Sequence, residues 1–379
     1  MNPPLHIRAK DRARRVLLGL LARIPFRPQT GAKDRILLIR PDHLGDVLFT
    51  TPALRLLADA LPKANITYLV GPWSWEVAAH NNNLHHVQTC AFPGFTRRPK
   101  TSLLAPYLQL FREARRLRSL AFGCAINLRY DFWWGAALIY LAGIPQRMGY
   151  DLPLCRPFLS HPIAYRHGQH EVEQNLSLVA QGLGLEPTES PSLEFWTTPH
   201  EEAFASQWLG SHSAPLVAIH PGSGAPVKQW PLPTFARLAD RLAQSHSSTI
   251  IITGSAAEAG LVRAVGEAMQ NPFRPLVGAS LGQLAAVLRR CQLVVGVDSG
   301  VLHLAVAMGT PTVHLYGPVS AATFGPWGEK GRHLVITSNM PCVPCDRLDY
   351  SPQEVKDHPC VTSIGLEPVA AAAESLLKG

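Results

Sequence analysis

The sequence predicts an α/β protein made of two doubly wound, parallel-sheet domains. Short apolar runs rich in Val, Ile and Leu alternate with longer segments of helical spacing, the pattern of parallel strands buried on both faces. The alternation stops in residues 186–200, where Pro187, Pro191 and Pro199 fall, and then resumes. A length of 379 residues suits two domains of about 150 to 200 residues each.

The elements follow in order. In the first half, strands are expected at 35–40, 65–70, 86–91, 124–128 and 147–149. Helices fit 47–61, 73–80, 103–120, 132–142 and 171–182. In the second half, strands fit 216–220, 249–253, 293–297 and 312–316, and helices fit 233–245, 256–269, 281–291 and 300–308. The expected domains are therefore 35–185 and 201–363, joined by a linker at 186–200. A last helix within 364–379 is expected to cross back to the first domain.

Hydrophobic residues make up 46% of the chain and charged residues 16%, enough apolar material for two cores. No apolar run reaches the roughly 18 residues of a membrane-spanning helix. The net charge of +8 calls for an anionic partner such as a nucleotide or an anionic membrane. No RNA-binding aromatic signature or standard zinc-finger spacing accompanies that charge, so nucleic acid is not expected. Seven cysteines, an odd number with Cys124 and Cys291 inside apolar strands, read as a reduced, cytoplasmic chain. Cys342, Cys345, His358 and Cys360 have the residue types of a zinc site, but their spacing is irregular, and free thiols with no metal are expected.

Residues 1–34 differ from the rest. Arg8, Lys10, Arg12, Arg14 and Arg15 precede Val16, Leu17, Leu18, Leu20 and Leu21. A basic amphipathic extension of this kind can lie on the anionic inner-membrane surface, as a peripheral contact on the cytoplasmic face. An extra helix packed on the first domain, or a loose tail, would have the same composition.

Three loops carry the chemistry. The run LVVGVDSGVLHLAVAMGTP reads as a strand, a tight turn and a helix. Asp298 or Ser299 is expected to cap that helix, whose start offers backbone N–H groups and a positive dipole end to a phosphate. Gly300 lets the backbone approach a ligand. Near the N-terminus, RILLIRPDHLGDVLFTTPALRLL places Asp46 at a helix start after a strand. Both aspartates then lie at the carboxyl edge of a parallel sheet, where doubly wound folds bind ligands. HPGSGAPVKQWP brings Ser223 and Lys228 to a strand-helix loop, with Lys228 a point charge for a phosphate. Glu258, one turn after Thr253, Gly254 and Ser255, can accept from ribose hydroxyls, or simply sit at a helix start that favours a carboxylate. No G-x-G-x-x-G follows the first strand and no P-loop is present, which disfavours nicotinamide dehydrogenases and P-loop enzymes.

Together LIRPDHLGDVLFTTPALRLL, HPGSGAPVKQWPLPTFARLADRL and VGVDSGVLHLAVAMGTPTVHLYGP resemble glycosyltransferase family 9, the ADP-heptose:lipopolysaccharide heptosyltransferases. The resemblance runs from about Arg35 to the C-terminus. It implies the GT-B architecture, two Rossmann-like domains facing a cleft. The N-terminal domain would bind the acceptor and the C-terminal domain the nucleotide sugar. The implied activity is inverting transfer of a heptose from ADP-L-glycero-D-manno-heptose to a lipid-linked oligosaccharide acceptor, the lipopolysaccharide inner core. Use of another nucleotide sugar, or non-catalytic binding of one, are the alternatives. By resemblance Asp46 is the general base. Ser223, Lys228, Glu258, Asp298, Ser299, Gly300 and His303 fall on the donor side, and Arg40 and His43 on the acceptor side. Cationic and backbone groups can stabilise the leaving diphosphate in this fold, so no obligatory metal or cofactor is expected.

Overall fold

Two six-stranded sheets carry the chain, and every strand pairing in both is parallel. The computed structural model describes residues 16, 18–24, 28–96, 102, 104–186, 192–211 and 213–378. Up to residue 186 they give β1 (Ala32–Arg40), α1 (Leu44–Leu48), α2 (Thr51–Ala60), β2 (Asn65–Val70), α3 (Trp75–Ala79), β3 (His86–Thr89), α4 (Ala105–Arg118), β4 (Phe122–Asn127), α5 (Trp133–Leu141), β5 (Gln146–Tyr150), β6 (His161–Ile163) and α6 (Glu171–Leu183). After it come α7 (Pro199–Leu209), β7 (Leu216–His220), α8 (Leu232–His246), β8 (Thr249–Gly254), α9 (Ala259–Ala268), β9 (Phe273–Val277), α10 (Leu281–Leu288), β10 (Leu293–Val297), α11 (Gly300–Ala307), β11 (Thr312–Tyr316), α12 (Ala321–Phe324), β12 (His333–Thr337), α13 (Pro352–Val355) and α14 (Leu366–Leu377).

The strand orders are β3-β2-β1-β4-β5-β6 and β12-β11-β10-β7-β8-β9. Numbered within its own half, each sheet reads 3-2-1-4-5-6, the Rossmann order. Winding reverses between β1 and β4 in one sheet and between β7 and β10 in the other. The loops leaving those four strands are where each unit is built to hold a ligand. The central strands are continuous apolar runs because helices cover both faces: Leu216–His220 and Leu293–Val297 are buried at every position.

By contacts the chain forms two units. One holds residues 1–42, 53–167 and 173–189; the other holds 43–52, 168–172 and 190–379. Residues 43–52 thus belong to the second unit, although they directly follow the first strand of the first.

Several elements differ from those the sequence predicts. The helix expected over 47–61 is two helices, α1 and α2. Pro52 has no N–H for the Leu48 carbonyl, and the Thr51 hydroxyl donates to it instead at 2.7 Å. Thr50 Oγ1 likewise closes on the Val47 carbonyl, at 2.7 Å. The unanticipated strands β6, β9 and β12 all lie at sheet edges. Two of them, HPI and FRPLV, contain proline, which an edge tolerates because one side of the strand need not donate. The end of the expected linker is helical: Thr198 and Glu201 form a reciprocal capping box that starts α7. The last helix lays its buried face, Val369, Ala370 and Ala373, in the core of the second unit instead of crossing back. The basic cluster Arg8 to Arg15 lies outside the described residues. Of the apolar patch beside it, Leu18 is buried in the core of the first unit, and Tyr140 Oη donates to the carbonyls of Ala22 and Ile24 at 3.1 and 2.8 Å.

Candidate functional site

In the second unit the reversal point is built from the loop after β7 and the start of α11. Trp230 anchors the first of these: its ring is buried and its Nε1 donates to the Ile364 carbonyl at 2.8 Å. The single 3-10 turn Pro226–Lys228 then aims Lys228 at Asp298, with Nζ 2.6 Å from Oδ2. Both side chains are largely buried, at 14% and 9% exposure, so neither charge is well solvated. His303 Nε2 stands 3.8 Å from the other oxygen of Asp298. Burial alone would raise the Asp298 carboxyl; His303 and Lys228 outweigh it and hold it at about 2. Asp298 is therefore an anion at every physiological pH, neutralised by one lysine.

The expected cap of α11 does not form. Asp298 is turned to Lys228, and the extended Ser299 makes no side-chain cap bond. The Ser299 hydroxyl is buried and has no hydrogen-bond partner among the described residues. The first turn of α11 so keeps its N–H groups, a dipole end and a serine hydroxyl in one place, beside a lysine.

Asp46 comes to this point through two glycines. A Cβ on Gly300 would lie 2.7 Å from Leu44 Cδ2 and 3.1 Å from the Gly45 nitrogen. A Cβ on Gly45 would lie 3.0 Å from the His303 ring. Only bare backbone lets α1 pack this closely on the start of α11. Phe49 completes the contact edge-on to His303, with ring centroids 4.6 Å apart. Asp46 itself is half-buried in the first turn of α1.

The other residues expected on the donor side are held by local bonds. Ser223 Oγ donates to the Ala225 carbonyl at 2.7 Å. Glu258 Oε2 accepts from the Ser255 nitrogen at 2.9 Å and from its hydroxyl at 2.7 Å, while Oε1 lies against Gly222. His220, fully buried beneath, has its pKa lowered by desolvation and bonds Thr253 Oγ1 at 3.0 Å. His170, which sequence reasoning missed, pairs Nε2 with the Gly325 carbonyl at 3.1 Å and packs against Trp327 and Phe49. Burial lowers it to about 4, so it is neutral and its Nε2–H donates.

In the first unit the loops after β1 and β4 meet at a different cluster. Arg40 is 1% exposed and does not present itself to solvent. Its guanidinium bonds the Leu128 carbonyl at 2.9 Å and Asp42 Oδ2 at 2.6 Å. It acts as a brace for the loop that begins with Asp42. His43 is half-buried and starts α1 without capping it. Arg129, which carried no sequence motif, reaches both Asp42 and Asp131 and lies 5.2 Å from the Phe95 ring centroid. Pro93, Phe95, Arg129, Asp131 and Trp133 line a cavity of about 160 Å³. Cys342 and Cys345 are exposed and Cys360 buried, and no cluster with metal-ligand geometry occurs among the described residues.

Two Rossmann-ordered units in one chain, with an anion-ready helix start in the second, define the GT-B class of glycosyltransferases. The chain belongs to glycosyltransferase family 9 (heptosyltransferase), whose family model matches residues 110–351. It is 28% identical over 361 residues to lipopolysaccharide heptosyltransferase 1 of Pseudomonas aeruginosa, covering 90% of this chain and 98% of that one. Among solved structures it is similar to a family 9 glycosyltransferase from Veillonella parvula, with a TM-score of 0.76 and 25% identity over 93% of this chain and 99% of that chain. An Escherichia coli heptosyltransferase solved with ADP-2-deoxy-2-fluoro heptose shares the fold, with a TM-score of 0.65 and 20% identity over 91% of this chain and 99% of that chain. No helix among the described residues is long and apolar enough to cross a membrane.

Proposed function

We propose that this glycosyltransferase moves a heptose from ADP-L-glycero-D-manno-heptose to a lipopolysaccharide inner-core acceptor, with inversion. The observation that carries the reading is the packing of α1 on α11, through Gly45 and Gly300, which puts the helix that bears Asp46 against the start of α11. The relative solved with an ADP-heptose analogue supports the donor.

The roles follow from the chemistry. Lys228, the first-turn N–H groups of α11 at Ser299 and Gly300, and the Ser299 hydroxyl hold the diphosphate. Ser223 borders the phosphates, and Glu258 accepts from the ribose hydroxyls. Asp298 and His303 accept from or donate to the donor's polar groups, with Lys228 shared between Asp298 and phosphate. Asp46 takes the proton of the acceptor hydroxyl as that oxygen attacks the anomeric carbon. The bond from that carbon to the diphosphate oxygen breaks, and its electron pair leaves on the diphosphate, where Lys228 and the α11 dipole stabilise the growing charge. The acceptor sugar binds in the first unit, in the cavity of Phe95, Arg129 and Trp133, with Arg40 bracing Asp42 behind it.

Transfer of isotope-labelled heptose from ADP-heptose to a truncated inner-core acceptor tests this directly. Turnover with another nucleotide sugar in its place would change the donor. Tight ADP binding with no transfer to any acceptor would make the protein a binding module.

A further inference from the structure

We propose that the outer face of α4, together with residues 16–24, is the surface by which this protein docks on an anionic lipid bilayer. The proposal uses the reading above only for the reason to be there, a lipid-linked acceptor, and its test is separate from transfer.

Nine large apolar side chains are exposed among the described residues, and six of them lie on these two segments. Leu104, the N-cap of α4, and Leu108 and Phe111 on the helix are 69%, 69% and 47% exposed, a single stripe at helical spacing. On residues 16–24 they are Val16, Leu20 and Ile24, again four residues apart. The opposite sides of both segments are satisfied: Leu18, Leu110, Ala114 and Leu117 are buried in one core. Both segments are also fastened to one helix. Trp134 Nε1 of α5 donates to the Pro106 carbonyl at 3.0 Å, and Tyr140 Oη of α5 holds Ala22 and Ile24. Six residues of helix separate the two anchors by only about 9 Å.

Charge then selects the occupant. Residues 16–24 and 104–118 contain five arginines, Arg23, Arg112, Arg115, Arg116 and Arg118, against Glu113, a net of +4. Half of the chain's net charge of +8 thus falls on these two segments. On α4 the arginines border the stripe: Arg112, Arg115 and Arg118 are exposed, while Glu113 is mostly covered and paired with Arg116 at 2.7 Å. A protein interface is centred on aromatic anchors, methionine and arginine within the patch, whereas here the stripe holds two leucines and one phenylalanine and the arginines stand at its border. Leucines and one phenylalanine edged by arginine match instead the headgroup boundary of an anionic membrane, where apolar side chains enter and arginines meet phosphates.

The test is co-sedimentation of the full chain with vesicles of phosphatidylcholine and phosphatidylglycerol in equal parts, and with phosphatidylcholine alone. The full chain is expected to pellet with the mixed vesicles and not with the neutral ones. Leu104→Ser with Leu108→Ser and Phe111→Ser should lower partitioning about tenfold or more, with unchanged thermal midpoint because these side chains are exposed. Arg112→Gln with Arg115→Gln and Arg118→Gln should lower it by a similar factor at low salt and by much less at high salt. Removing residues 1–15 should leave a measurable, salt-sensitive remainder. Equal pelleting of the full chain and both triple variants would overturn the proposal. So would a concentration-dependent dimer that the serine variant abolishes while vesicle binding stays intact. Vesicle binding by a chain that transfers no heptose would leave this surface standing and remove the proposed reaction alone.

Discussion

Replacing Lys228 by alanine tests the donor site through two independent quantities. Lys228 is the counter-charge of a carboxylate 9% exposed and 2.6 Å away. Its loss leaves Asp298 buried and poorly compensated. Breaking such a pair costs about 3–5 kcal/mol when burial is complete, and partial exposure of Lys228 argues for the lower end. The pKa gives a check. Against burial, His303 and Lys228 together hold Asp298 at about 2 rather than 3.8, roughly 2 kcal/mol of stability in which Lys228 has a share. Because the folded value is depressed, that stability is present above pH 3.8 and is lost as pH falls through 2. The variant should therefore unfold several degrees lower at pH 7, given about 2–4 °C per kcal/mol for a unit of this size. The gap between the two proteins should narrow below pH 4. Donor binding reports separately: loss of one charge-assisted phosphate contact should weaken ADP by about tenfold to a hundredfold in calorimetry. Equal melting midpoints at pH 7 would refute the burial argument. Unchanged ADP affinity would remove Lys228 from the phosphate site, whatever the stability.

Asp46→Asn should lower turnover roughly a hundredfold or more while ADP affinity and melting midpoint hold, and steady-state kinetics beside calorimetry will separate the two. Ser299→Ala should weaken ADP several-fold at no cost in stability, since the deleted hydroxyl has no partner to lose among the described residues; a fall in midpoint would mean that it bonds within the protein. Gly300→Ala should force α1 off α11 and reduce turnover more than ADP binding, because the new methyl meets Leu44 and the Gly45 backbone. His170, lowered to about 4 by burial, stays neutral while the unfolded chain takes up a proton below 6.5. Stability should thus be full above pH 6.5 and decline toward pH 4, and His170→Phe should flatten part of that slope in urea titrations.

The sequence by itself determined the two-domain α/β plan, because buried parallel strands read as unbroken apolar runs and their loops as glycine, proline and aspartate. It determined the family as well, since three loop motifs carry the chemistry and lie in order on one chain. Periodicity states which face of an element is buried, and not against what. The edge strands β6, β9 and β12 escaped it because they are only partly covered and so lack an unbroken buried run. The break between α1 and α2 needed a hydroxyl to stand in for the N–H that Pro52 lacks. Only the tertiary structure could pair Lys228 with Asp298, 70 residues apart, or Arg129 with Asp42, 87 apart. It turned Arg40 from a candidate contact into a buried brace, and it showed that Leu104, Leu108 and Phe111 face out. Each of these depends on where a loop or a helix face ends up after sheets close around it, and local spacing carries no record of that.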